Sequence, residues 1–143
     1  MAIEQTASVR RLGFFSAVTA AVLIAAYAVT LAAGFMTIAS PQEPIANPIF
    51  SILEMQIIIL SPILVMLMAA IHASAPTQAK TYSLVALVFI SLLACLTSSV
   101  HFVILTLSRQ PSFMEADWAP LFLSFNWPSV PYALDILAWD FFF

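Results

Sequence analysis

The sequence predicts an all-α integral membrane protein with three transmembrane helices, an interfacial aromatic segment and a short fourth helix. Three stretches, residues 12–42, 55–79 and 81–108, contain no Asp, Glu, Lys or Arg. Each stretch exceeds the roughly 20 apolar residues that a helix needs to cross the hydrocarbon core of a bilayer. The composition agrees, because 63% of the residues are hydrophobic and 8% are charged, whereas soluble domains carry about 25% charged residues. We therefore expect a single membrane domain over residues 1–143.

The first span is predicted over residues 12–38, and it carries a stripe of small residues. These residues recur at a spacing of three or four positions: Gly13, Ala17, Ala21, Ala25, Ala28 and Ala32. Small side chains at this spacing allow two helix backbones to approach closely in lipid. The stripe therefore predicts a packing face, used either within the bundle or between two copies of the chain.

The second and third spans, residues 49–74 and 76–108, are predicted to form an antiparallel hairpin because only a short turn separates them. A proline-rich loop at residues 39–48 precedes the second span. Pro62 lies in the middle of that span, where the missing amide hydrogen removes one backbone hydrogen bond. We therefore expect a kink at Pro62.

The C-terminal part of the chain differs in kind from the spans. Residues 109–130 contain several prolines and two of the three tryptophans, and tryptophan favours the membrane–water boundary. We expect this segment to lie in the interface. A fourth helix is predicted over residues 131–143, with Ser129 as a candidate cap. Thirteen residues give about 20 Å of helix, so we expect either a half-span packed against its neighbours or a chain that continues beyond Phe143.

The basic residues predict the orientation of the chain. Arg10, Arg11 and Lys80 fall on one side of the three spans, and Arg109 falls on the other. Basic residues are enriched on the cytoplasmic side of membrane proteins, so we expect a cytoplasmic N-terminus in a bacterial-type inner or plasma membrane. The chain has no basic cluster that would bind nucleic acid. The expected partners are the lipid bilayer and either other membrane subunits or further copies of the chain.

Ionisable side chains inside a bilayer are costly and mark candidate functional sites. Glu54, His101 and Asp135 each lie about 7–11 Å below the predicted outer surface, at 1.5 Å of rise per helical residue. Gln56 and Ser98 share that layer. Two carboxylates and an imidazole at one depth can bind a divalent metal, relay protons or hold the polar end of a lipid-like ligand. The layer is therefore a candidate ligand-binding site.

The same residues also have structural interpretations. Ser51 and Glu54 have the spacing of a capping box, so Glu54 can cap a helix that starts at Ser51. Asp135 can stabilise the first turn of its helix by its charge. His101 can hydrogen-bond a carbonyl or a serine on a neighbouring helix. A polar layer that holds the helices together is thus the competing hypothesis, and helical phase does not decide whether Glu54 and His101 face each other.

The two histidines do not fit a bis-histidine haem site. His72 lies a few residues from the predicted cytoplasmic turn, whereas His101 lies about 20 residues into the third span, which corresponds to about 30 Å of helical rise. Either histidine alone can supply the axial ligand of a chlorophyll-type pigment. The cofactor and the metal therefore stay unassigned.

Two functions of different classes fit these features. The first is non-enzymatic: a small accessory or structural subunit that packs against other transmembrane helices. The sequence favours it because phosphate loops, nucleophile elbows, CxxC and HExxH motifs are all missing. The second is a membrane pocket protein that uses the polar layer to bind a lipid-like ligand, a metal or a cofactor, or to act as a small lipid-active enzyme.

Overall fold

The computed structural model describes residues 2–40 and 43–143, and all regular structure in these residues is helical. Six α-helices follow one another: α1 (Ala2–Phe35), α2 (Ile49–Ser74), α3 (Lys80–Thr106), α4 (Pro111–Met114), α5 (Ala119–Phe122) and α6 (Val130–Phe142). Short 3₁₀ turns, Thr77–Ala79 and Leu107–Arg109, flank α3. Residues 41 and 42 of the predicted proline-rich loop lie outside the described residues.

Three helical segments are long and apolar enough to span a membrane: Ala7–Phe35, Ile49–Ser74 and Thr77–Arg109. They confirm the prediction of an all-α protein with three candidate membrane spans. The first helix starts earlier than its predicted span and ends at Phe35 rather than at residue 38. The second matches its predicted bounds and continues as one helix through Pro62.

Each helix packs mainly against one or two others. The principal contacts are α1 with α2, α2 with α3, and α3 with α6. A small buried cluster of Ile90, Leu93 and Ala138 joins α3 to α6. Because α1 and α6 are held by different helices, a cleft can remain between them.

The face of α1 that packs on α2 differs from the predicted small-residue stripe. Ser16 and Ala20 are buried, and a Cβ atom on Gly13 would lie 3.3 Å from the Cβ atom of Ala70 on α2. The five alanines of the stripe are exposed instead: Ala17, Ala21, Ala25, Ala28 and Ala32. At 3.6 residues per turn the five alanines are centred about 120° from the buried face. Packing of these five alanines within the bundle is therefore not observed, and packing against another chain stays a prediction.

The turn between α2 and α3 is held by side chains near its ends. Lys80 Nζ donates hydrogen bonds to the carbonyl oxygens of His72, at 2.5 Å, and Ala73, at 3.1 Å. These carbonyls belong to the last turn of α2, where donors four residues further along the helix are missing, although the His72 carbonyl also accepts from the Ala75 amide at 3.2 Å. Ser83 Oγ donates to the carbonyl oxygen of Lys80, so it accepts from His72 Nδ1 at 2.9 Å. His72 thus has a structural role at the hairpin turn.

The opposite ends of α2 and α3 are also linked. The Arg109 guanidinium donates to Asn47 Oδ1, at 3.3 Å, and to Ser51 Oγ. Ser51 Oγ in turn donates to Asn47 Oδ1. At the start of α6, Ser129 Oγ accepts a hydrogen bond from the backbone amide of Tyr132 at 3.2 Å, which confirms Ser129 as the predicted cap.

Candidate functional site

Glu54, His101 and Asp135 meet in the interior of the bundle, on three different helices. His101 Nδ1 lies 2.8 Å from Glu54 Oε2, and the His101 and Glu54 residues are 5% and 3% exposed. On the other side of the ring, His101 Nε2 lies 3.4 Å from Asp135 Oδ1. We call these three residues the carboxylate–histidine cluster. It connects α2, α3 and α6.

The helix boundaries exclude the capping interpretations of the two carboxylates. Helix α2 begins at Ile49 rather than at Ser51, so Glu54 lies beyond the capping position and turns inward. Helix α6 begins at Val130, and its first turn contains no acidic residue. Asp135 therefore lies in the second turn, where the helix terminus attracts negative charge less strongly. His101 pairs with two carboxylates rather than with a carbonyl or a serine of a neighbouring helix.

Thr97 is a further member of this environment that the sequence reasoning missed. Its side chain is completely buried, and its Oγ1 atom donates to Asp135 Oδ1 at 3.2 Å. Thr97 precedes His101 by one helical turn, so both side chains lie on the same face of α3. A hydroxyl four residues from an intramembrane histidine was the signal that could have identified it.

The geometry around His101 indicates the protonation state of its ring. Both ring nitrogens face carboxylate oxygens, and both can act as donors only when the imidazole is protonated. The arrangement thus fits an imidazolium placed between two carboxylates, which leaves one negative charge in excess. Buried charges are tolerated when they are paired in this way.

This arrangement does not suit a metal centre. A histidine ligand must direct the lone pair of one ring nitrogen at the metal, whereas the carboxylates occupy both directions here. Among the residues that the structure describes, no group of three His, Cys, Asp or Glu side chains could hold a metal ion. The geometry favours an ion-paired cluster over the metal alternative.

The other two predicted site residues lie outside the cluster. Gln56 Nε2 donates to Thr30 Oγ1 on α1 at 3.3 Å. Its buried Oε1 atom has no hydrogen-bond partner among the described residues. Ser98 is half-buried beside Thr97 on α3, and it forms no hydrogen bond with the cluster in the described part of the chain. Gln56 therefore links α1 to α2, and Ser98 has no assigned contact.

A cleft of about 440 Å³ lies between α1 and α6, and we call it the α1–α6 cleft. His101 and Asp135 form the polar part of its wall. The rest of the wall is apolar or aromatic: Ile24, Tyr27, Ile57, Leu60, Leu64, Phe125, Trp139 and Phe143. The Asp135 side chain is 19% exposed, so a molecule in the cleft can reach it.

The segment between α5 and α6 covers the outer side of the cluster. The ring of Phe125 lies against the ring of His101, with 5.2 Å between their centroids, and Phe125 also contacts Tyr132. This cover places an aromatic side chain directly against the His101 ring. The cluster is therefore approached through the α1–α6 cleft.

The site thus combines a paired charge cluster with an apolar cleft of ligand size, since ligand pockets generally have volumes of about 300–1,000 Å³. Such a combination can hold an amphiphilic molecule by its polar end. Comparison with known proteins finds no match to the chain among family models, curated proteins or solved structures.

Proposed function

We propose that this protein binds a lipid-like ligand in the α1–α6 cleft, with the polar end of the ligand at Asp135. The observation that carries the proposal is that the cleft wall contains His101 and Asp135 and is otherwise apolar or aromatic. A hydrocarbon chain fits the apolar part, and a hydrogen-bond donor or a positive charge fits the polar part. The cleft is bounded by membrane-spanning helices, so a ligand can enter it from the bilayer.

The charge of the cluster selects the polar group of the ligand. One Asp135 oxygen faces His101 and Thr97, and the side chain as a whole is 19% exposed and borders the cleft. The excess negative charge attracts an amine and repels a carboxylate. The surrounding rings add to this preference, because aromatic faces attract organic cations. We therefore propose an amine- or hydroxyl-headed amphiphile as the ligand class.

Quenching of Trp139 fluorescence tests this proposal. Trp118 and Trp127 are replaced by Phe, so that Trp139 at the cleft is the sole emitter, and the protein is titrated in bicelles with brominated alkyl chains. We expect a brominated alkylamine to quench at about tenfold lower concentration than the matching carboxylate, which corresponds to about 1.4 kcal/mol. Asp135→Asn should remove most of this preference.

The control for this measurement is Asp117→Asn, which neutralises an exposed carboxylate outside the cleft. It should leave the preference for the amine unchanged. Equal quenching by the two head groups in the protein with an intact Asp135 would contradict the proposed ligand class. Equal quenching by a brominated lipid that cannot enter the cleft would contradict binding in the cleft itself.

An accessory or structural subunit is the second candidate function. The observation that favours it is the exposed stripe on α1, whose five alanines face away from α2. Small residues at this spacing suit close packing against a helix of another subunit or of a second copy. This candidate does not compete with ligand binding, because the two use different faces of the molecule.

Native mass spectrometry of gently extracted protein tests the subunit candidate. We expect Ala21→Leu to remove the mass of a partner subunit or a second copy, because the larger side chain separates the helix backbones. Val22→Leu is the matched control, since Val22 is exposed on α1 but lies off the stripe. A 15.6 kDa monomer in every variant and in the unchanged protein would contradict this candidate.

We also propose that the N-terminus is cytoplasmic and that residues 109–130 lie in the outer interface. Arg10 borders the same groove as Ala75 and Tyr82, so Arg10 and Lys80 lie at one end of the bundle and Arg109 lies at the other. This distribution supports the orientation through the preference of basic residues for the cytoplasmic side. The exposed Trp118 and Trp127 rings support the interfacial position of that segment.

A further inference from the structure

Helix α6 places a carboxylate, Asp140, at the level of the middle of α3, which belongs to one of the three candidate membrane spans. Leu93 is the middle residue of α3, and Leu93 and Ala138 belong to the same buried cluster. The rings of Phe142 and Phe89 are in contact, with centroids 5.8 Å apart. Asp140 lies between Ala138 and Phe142 in sequence, so its level is within about 3 Å of the midpoint of α3.

The Asp140 side chain points away from the bundle. Helix α6 packs on α3 through residues that include Asp135, Ala138 and Phe142. At 100° per residue, Asp140 lies on the opposite side of the helix. The structure shows Asp140 exposed, and in the described residues it makes no hydrogen bond or ion pair. A carboxylate at this depth is costly in lipid unless a partner satisfies it.

Asp140 is part of a regular face rather than an isolated exposed position. The exposed residues of α6 on this side follow the spacing i, i+3, i+4 and i+7: Ala133, Ile136, Leu137 and Asp140. This spacing is the one by which a helix contacts another helix. On this face three apolar side chains precede a single carboxylate. At the level of that carboxylate, lipid supplies no hydrogen-bond donor.

We propose that this face of α6, which we call the Asp140 face, docks a transmembrane helix of a different membrane subunit that carries a Lys or Arg near its centre. The basic side chain pairs with Asp140, and the apolar residues of the two helices pack along the rest of the contact. The inference extends the accessory-subunit candidate by naming the chemistry of a partner. It does not depend on ligand binding in the α1–α6 cleft.

A second copy of this chain does not supply the required cation. Its only basic residues are Arg10, Arg11, Lys80 and Arg109. Arg10 and Arg11 adjoin the end of the bundle that holds Lys80, and Arg109 lies at the opposite end with Asn47. His72 lies at the hairpin turn beside Lys80, and His101 is buried between two carboxylates. No basic group of a second copy can therefore reach the level of Asp140, and the partner must be another protein.

Synthetic transmembrane peptides test the proposed chemistry directly. The full chain, labelled at its N-terminus with a donor fluorophore, is reconstituted in phosphatidylcholine vesicles with acceptor-labelled polyleucine helices. The peptides differ only in one residue: a central Arg, a central Leu, or an Arg near one end. We expect energy transfer to the central-Arg peptide at about tenfold lower peptide density than to the other two, in keeping with the strength of polar contacts between membrane helices.

Variants of the protein then show whether Asp140 is responsible for the preference for the central-Arg peptide. Asp140→Asn should reduce binding of the central-Arg peptide to the level of the central-Leu peptide, and Asp140→Lys should transfer the preference to a peptide with a central Glu. Asp117→Asn, which neutralises a carboxylate outside the helix, should change nothing. Retained helix content, measured by circular dichroism, shows that each variant is folded.

Two results would overturn the proposal. One is equal energy transfer to the central-Arg and central-Leu peptides with the unaltered protein. The other is energy transfer between two labelled copies of the protein alone that disappears in Asp140→Asn. Such a result would mean that a second copy, paired through carboxyl groups, covers the Asp140 face. Neither result would bear on the alkylamine measurement, which reports on Asp135 and the α1–α6 cleft.

Discussion

Replacing His101 by Leu should destabilise the folded protein by about 3 kcal/mol or more, because it leaves two carboxylates in the interior without their shared cation. Glu54 is 3% exposed, so water cannot compensate for the lost partner. The loss also breaks the connection that the ring makes among α2, α3 and α6. Reversible unfolding in mixed micelles with increasing fractions of SDS, followed by circular dichroism, measures the change in the free energy of unfolding.

The triple variant Glu54→Leu/His101→Leu/Asp135→Leu separates a charge effect from a packing effect. Replacing a whole buried ionic group by apolar residues is often neutral or stabilising, whereas removal of one member is not. We therefore expect the triple variant to recover most of the stability that His101→Leu loses. His72→Leu is the matched control at the hairpin turn, and it should cost about 1 kcal/mol, the usual value of a lost hydrogen bond. A triple variant as unstable as the single one would show that packing of the ring, not its charge, holds the helices.

Replacing Ala138 by Leu should detach α6 from α3, at a cost of about 1–3 kcal/mol. Ala138 is completely buried against Ile90 and Leu93, and the added atoms have no free space to enter. Because α6 holds Asp135, its displacement also separates that carboxylate from His101 and Thr97. We expect amide hydrogen exchange in residues 130–142 to accelerate by about tenfold or more, which corresponds to about 1.4 kcal/mol of lost local stability.

Ala133→Leu is the matched control for Ala138→Leu, because both positions are alanines of the same helix. Ala133 is exposed on the Asp140 face, so a larger side chain there meets no residue of the bundle. Its hydrogen exchange should equal that of the unchanged protein. Slow exchange in both variants would contradict the conclusion that the buried contact at Ala138 holds α6 in place.

The two proposals give different functions to Asp135 and Asp140, two carboxylates of helix α6. Asp135 faces inward to His101 and borders the α1–α6 cleft, which suits a ligand within the molecule. Asp140 is exposed and faces outward at the level of the middle of α3, which suits a partner outside the molecule. Their sequence separation of five residues explains the difference, since it turns the side chain by about 140° around the helix.

The sequence by itself determined the positions of the helices and the depth of the polar residues. The uncharged runs 12–42, 55–79 and 81–108 predicted three spans, and the structure shows a long apolar helix at each. The shared level of Glu54, His101 and Asp135 also followed from the sequence, because depth along a helix depends only on the number of residues and the rise of each. Local hydrogen bonding likewise made the Ser129 cap predictable.

Only the tertiary structure decided which side of each helix faces a neighbour. The sequence left open whether Glu54 and His101 point at each other, missed Thr97, and did not place the α1–α6 cleft. It also selected the stripe from Gly13 to Ala32 as a packing face, whereas α1 packs on α2 through Ser16 and Ala20 and, of the stripe, through Gly13. In a water-soluble protein the hydrophobic side of a helix identifies its buried face. In lipid both sides are apolar, so the contact face is set by the fit between helices and by the pairing of their few polar groups.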